Sequence, residues 1–109
     1  MKKTTIWLID IDGTVCEDIP NEEAHRFSTA KVLPGALEKV KELYDRGDRV
    51  TFFTSRTSEH SEQTEYWLNK HGFPFESVCY NKPRINDGEN YHWVDNKEVN
   101  STFLPDGLK

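Results

Sequence analysis

Long apolar runs are missing from this 109-residue sequence. The longest, Ile6-Trp7-Leu8-Ile9, ends at Asp10, whereas a membrane-spanning helix needs about 18 apolar residues and the core of a secretory leader about 7–15. A soluble, cytoplasmic chain with no membrane partner is the expectation. Cysteine is scarce too: Cys16 and Cys79 match no metal-binding or redox spacing, so free buried thiols in a reducing compartment are expected. Nor is there a basic excess. Fourteen Lys and Arg against nineteen Asp and Glu leave a formal charge of −5 with no basic stripe, which argues against a nucleic-acid partner. Repeats, low-complexity tracts and linkers are absent. Leu, Ile, Val and Phe still make up 23% of the chain, just above the rough 20% floor of disordered sequences. That is enough for one small domain, expected to span residues 1–109.

The order of elements is readable from the apolar pattern. Residues 4–11 read as the first strand, in which Ile6, Trp7, Leu8 and Ile9 form a continuous apolar run, as strands of parallel sheets do when both faces are buried. A polar, acidic stretch over residues 17–31 follows. Pro34-Gly35 then opens a helix carrying Leu37, Val40, Leu43 and Tyr44 on one stripe, and Gly47 closes it. Residues 49–54 read as a second strand. Residues 58–71 read as a second helix, with Glu59 and Glu62 in its first turn and Gly72 just beyond it. Short strands are expected at 77–80 and 91–95, with one more possible at 103–104, and 82–90 reads as a loop. Alternating strands and helices predict an α/β fold with a mostly parallel sheet and right-handed crossovers.

In such a sheet, ligands bind beyond the carboxyl ends of the strands. Those ends carry Asp10-Ile11-Asp12-Gly13-Thr14, Thr54-Ser55-Arg56, Asn81-Lys82-Pro83 and Asp95-Asn96. Three carboxylates, a hydroxyl pair and a lysine on one edge suit a hard cation together with a phosphate. Magnesium takes oxygen ligands, usually one or two carboxylates plus waters and a substrate phosphate, which makes Asp10, Asp12 and Asp95 the candidate metal ligands. Thr54 and Ser55 offer hydroxyls and following backbone amides to phosphoryl oxygens. Lys82 brings positive charge to offset the phosphate and the carboxylates' mutual repulsion.

The set Asp10-Ile11-Asp12-Gly13-Thr14, Thr54, Lys82 and Asp95, in that order and on those elements, resembles the four motifs of the haloacid dehalogenase (HAD) superfamily of aspartyl phosphatases. The resemblance runs from Ile6 to about Asn100. It implies a HAD-like Rossmannoid parallel sheet flanked by helices, and a magnesium-dependent phosphatase. In that reading Asp10 attacks phosphorus and becomes an aspartyl phosphate. Asp12 protonates the leaving alcohol and then activates water, Lys82 assists catalysis and binding, and Asp10, the Asp12 carbonyl and Asp95 hold the magnesium. The chain departs from the pattern where a second acid often follows the fourth motif: Asn96, Val99 and Asn100 stand there. The intervals from Thr14 to Pro34 and from Thr54 to Lys82 are too short for a covering domain, so a capless member is expected, with residues 15–33 as a flap. Selection among substrates then falls to the flap or to a neighbouring copy of the chain.

Blander roles compete at several positions. Thr54 could cap the following turn, and Asp95 could cap a helix starting near Asn96. Arg56 could bind substrate or pair with Glu59. His25, His60, His71 and His92 show no ligand spacing, and Trp7, Trp67 and Trp93 read as core aromatics. The expected substrate is a small phosphate monoester such as a sugar phosphate. The competing functions are a receiver-type phospho-accepting module and a phosphatase of phosphoproteins or nucleic-acid ends. Placing both key acids on the first strand favours hydrolysis over the receiver.

Overall fold

The computed structural model describes residues 3–108. Strand β1 (Ile6–Ile9) leads through a kinked 3-10 helix (Asn21–Thr29) to helix α1 (Ala36–Asp45). Strand β2 (Arg49–Phe53), a short 3-10 turn (Ser58–His60), helix α2 (Ser61–Lys70) and strand β3 (Ser77–Cys79) follow. The three strands form one parallel sheet in the order β1-β2-β3. Ile9 stands opposite Phe52, and Phe52 opposite Val78.

Register decides which side chains meet. Trp7, Ile9, Val50, Phe52 and Val78 share one sheet face by strand alternation and join Ala36, Val40, Trp67 and Leu68 in a single core. Each helix contributes through its spacing: Ala36 and Val40 are buried from α1, and Thr64, Trp67 and Leu68 from α2. The indole of Trp67 donates to the Ala30 carbonyl at 3.0 Å, so a large buried ring keeps its one polar group satisfied. Phe27, the buried residue of the Asn21–Thr29 helix, brings the flap onto this core. The opposite sheet face is different. Ile6 and Leu8 alternate onto it and are 50% and 46% exposed, so β1 is buried on one face and not on both as its apolar run suggested.

Residues 91–95 do not form the expected strand, nor do 103–104. The local chemistry competes with a ladder there. Asp95 accepts from its own neighbours, the Lys97 amide at 3.1 Å and the Trp93 indole at 3.0 Å, a side-chain turn of the kind that displaces strand pairing. Val94 is consequently 87% exposed and Trp93 about half exposed, which removes Trp93 from the core. Cys16 is buried as expected, whereas Cys79 is exposed.

Candidate active site

All three strands point their carboxyl ends the same way, which brings the residues following them to one edge. Directly after β1 the chain turns sharply. The amides of Thr14 and Val15 donate to the Ile11 carbonyl, and that of Gly13 to the Cys16 carbonyl at 2.9 Å. Gly13 adopts φ +81°, a left-handed conformation that a side chain would strain. The turn leaves Asp10 and Asp12 lining one cleft of about 530 Å³, together with Ser55 and Lys82. Lys82 arrives because its amide donates to the Thr54 carbonyl at 2.9 Å, while the Asn81 amide donates to the Arg56 carbonyl. Asn81 itself takes a positive φ of 64° to make this turn.

At the floor of the cleft, Lys82 Nζ lies 3.3 Å from Asp10 Oδ1, and Thr14 Oγ1 donates to Asp10 Oδ2 at 3.3 Å. Burial raises the Asp10 carboxyl above its ordinary value, and the Lys82 charge works against that rise. The result is a partly buried carboxyl held beside a cation. Cys16 stands next to Asp12, and burial, helped by the Asp12 charge, pushes its thiol up to about 12. It is therefore a neutral space-filler and not a second nucleophile.

The sequence-expected residues divide in three. Asp10, Asp12, Ser55 and Lys82 come together around the cleft. Thr54 is fully buried and does not line the cleft, its Oγ1 accepting from the Arg56 amide at 3.1 Å. Asp95 is not brought to the cleft. It stands exposed in the irregular C-terminal segment, its carboxyl lowered chiefly by the Trp93 indole. Asn96 and Asn100 are exposed beside it. Among the described residues, no group of three or more Asp, Glu, His or Cys side chains is placed to hold a metal ion. The cleft's donors nonetheless fit magnesium of the sort held by one or two carboxylates and otherwise by water and substrate phosphate, with Asp10 the carboxylate available.

Arg56 is the residue whose role the sequence left open, and its acidic partner is Asp12 and not Glu59. It is fully buried, donating from Nε to Asp12 Oδ2 at 2.9 Å and from Nη2 to Asp12 Oδ1 at 2.8 Å. Nothing local in the sequence says which acid the arginine meets, because Asp12 lies 44 residues away in the chain. The rim of the cleft holds further residues the sequence did not single out: Asp18, Asn21, Arg84 and Tyr91. Asn21 reaches across to donate to the Ser55 carbonyl at 3.0 Å, tying the flap to the loop after β2. A second hollow, lined by Glu59 of the 3-10 turn and by Glu62, Gln63 and Tyr66 of α2, has no cation to hold a phosphate.

The sequence profile described as the LNS2 domain of PITM 1-3 matches residues 7–99. The chain belongs to the LNS2 domain family. Among curated proteins, this LNS2 chain is 31% identical over 78 residues to one from Chlorobaculum tepidum named as a 5′(3′)-deoxyribonucleotidase, covering 66% of this chain and 39% of that protein. It is 30% identical over 77 residues to a Bacillus cereus protein named as a nucleotidase, covering 71% of this chain and 40% of that one. The LNS2 chain thus spans about two fifths of the length of these relatives. Among solved structures, a structural-genomics target from Vibrio cholerae superposes with a TM-score of 0.65 at 18% identity, over 82% of this chain and 79% of the other. A chain of the Pnkp1/Rnl/Hen1 complex superposes at 0.64 and 18% identity, over 80% of this chain and 30% of that one. The fold is HAD-like α/β, as the motif order implied.

Proposed function

We propose that this chain is a phosphatase that hydrolyses a small phosphate monoester through a covalent aspartyl phosphate on Asp10, without a cap domain. The observation that carries the reading is the Asp10–Lys82 pair at 3.3 Å in a cleft shared with Asp12: a nucleophile, a phosphate-neutralising cation and an acid–base group within reach of one phosphorus. The names of the curated relatives favour a nucleoside monophosphate over the sugar phosphate first expected. The open rim, with Tyr91 and Arg84 exposed on it, has an aromatic ring and a cation to offer the nucleoside.

In the first step an Asp10 carboxylate oxygen attacks phosphorus opposite the ester oxygen. The P–O bond to the alcohol breaks, and Asp12 delivers the proton that the leaving alkoxide needs. In the second step water attacks the same phosphorus, Asp12 takes its proton, and phosphate leaves with Asp10 restored. Lys82 offsets the phosphoryl charge throughout, and the Ser55 hydroxyl and nearby amides take phosphoryl oxygens. Magnesium, held by Asp10 and by the Asp12 carbonyl as the family resemblance implies, would add further neutralisation of phosphate charge.

The test is steady-state turnover on a panel of nucleoside monophosphates and sugar phosphates with magnesium present, with Asp10→Asn as control. Catalytic turnover on nucleotides, lost by at least about 10³-fold in the variant, is expected. Stoichiometric phosphorylation without turnover would favour the receiver-type module instead.

A further inference from the structure

We infer that Arg56 is the positioning residue for proton transfer by Asp12, fixing the carboxylate's orientation from beneath the cleft. The inference rests on the phosphatase reading above and adds a residue to it. A guanidinium removed from water must have its donors satisfied, and Arg56, with no exposed surface, spends two of its three nitrogens on one acid. Nε and Nη2 grip both oxygens of Asp12 at 2.9 and 2.8 Å. Nη1 is anchored separately by Thr64 Oγ1 on α2 at 3.1 Å. The guanidinium plane lies against Phe27 of the flap, 3.7 Å from the ring centroid. Its main chain is pinned as well, the amide to Thr54 Oγ1 and the carbonyl to the Asn81 amide. The arginine is therefore the fixed body and Asp12 the group it aims.

Three consequences follow from this geometry. Arg56 lies below Asp12 and not on the cleft surface, so it acts through Asp12 and touches no substrate. Asp12 Oδ1 accepts from both Arg56 and the Cys16 thiol, whereas Oδ2 gives one lone pair to the fork and keeps another for a proton, so the clamp orients the group without blocking that oxygen. A lysine cannot replace the fork: it supplies the same charge at a point and leaves the carboxylate free to rotate. Misplacing a catalytic group by about 1 Å costs on the order of 10² in rate.

The test uses Asp12→Asn, and Arg56→Lys and Thr64→Val each alone and combined with Asp12→Asn, assayed on a nucleoside 5′-monophosphate and on 4-nitrophenyl phosphate, whose leaving group barely needs a proton. Circular dichroism and thermal unfolding confirm that each variant is folded. Arg56→Lys should lower kcat on the nucleotide by roughly 10²-fold with KM within about twofold, and lower it far less on the aryl ester. In the Asp12→Asn background the same change should cost nothing further, because there is no proton transfer left to orient. Thr64→Val, which leaves the fork on Asp12, should lose a few-fold in the same substrate-dependent way; it carries the test if Arg56→Lys does not fold. Losses that add in the double variants, equal losses on both substrates, or a raised KM with unchanged kcat would overturn the assignment. A parent protein that hydrolyses neither ester would overturn the phosphatase reading itself, and the assignment with it.

Discussion

Asp10 and Asp12 are two residues apart and alike in sequence, yet the fold treats them oppositely. Asp10 is raised by burial against a single lysine, the signature of a group kept for chemistry at some expense to stability. Asp12 neutralises a fully buried arginine, and removing one partner of a buried ion pair leaves the other charge uncompensated. Asp12→Ala should therefore destabilise the protein by about 3–5 kcal/mol, while Asp10→Asn should change stability by less than about 1 kcal/mol; urea unfolding of the two variants decides it, and equal losses would contradict the contrast. The cysteines divide in the same manner. Cys16 is buried with its thiol pushed up to about 12, and Cys79 is exposed. Iodoacetamide at pH 8 should modify Cys79 in the folded protein and reach Cys16 only after unfolding, as peptide mass mapping would show.

At the scale of elements, helices α1 and α2 and all three strands were legible because their signals are local: an apolar stripe at helical spacing, a glycine closing each helix, a polar residue ending each apolar run. What joins them was not legible, since it depends on side chains far apart in the chain. Asp48, in the turn after α1, accepts from the Trp7 indole at 2.9 Å, from Arg46 at 2.9 Å and from the Thr5 amide at 3.2 Å. These bonds, the indole's first among them, lower its carboxyl from 3.8 to about 2. A depressed acid stabilises the fold wherever it is ionised in both states, and that contribution fades as pH falls from about 3.8 towards 2. Thermal unfolding followed between pH 5 and pH 2 should therefore show a decline in the parent that is blunted in Asp48→Asn. A variant that declines as steeply as the parent would place the acid sensitivity elsewhere. The strand expected at 91–95 failed for an equally physical reason: the carboxyl of Asp95 accepts from the Lys97 amide and the Trp93 indole, a competition that apolar alternation does not register.

Across the whole molecule, the sequence foresaw that Asp10, Asp12, Ser55 and Lys82 meet and not that Asp95 stays apart, because the first four follow paired strands and Asp95 follows a segment that pairs with none. The sheet gathers Asp10, Asp12, Ser55 and Lys82 and leaves Asp95 exposed. With the chain so arranged, Asp95→Asn should shift the magnesium concentration for half-maximal activity by no more than about twofold, as substitutions away from a site do. A shift of about 10–100-fold, the size seen when groups supporting a metal are lost, would show that Asp95 reaches the metal during turnover. One experiment bears on the central claim more directly than any of these. Rapid acid quench after mixing the protein with substrate labelled in its phosphate should trap label on the protein, released by hydroxylamine as acyl phosphates are, mapped to the peptide holding Asp10, and absent in Asp10→Asn. Turnover with no trapped label in the parent, or label that persists in Asp10→Asn, would contradict a covalent phosphatase built on Asp10.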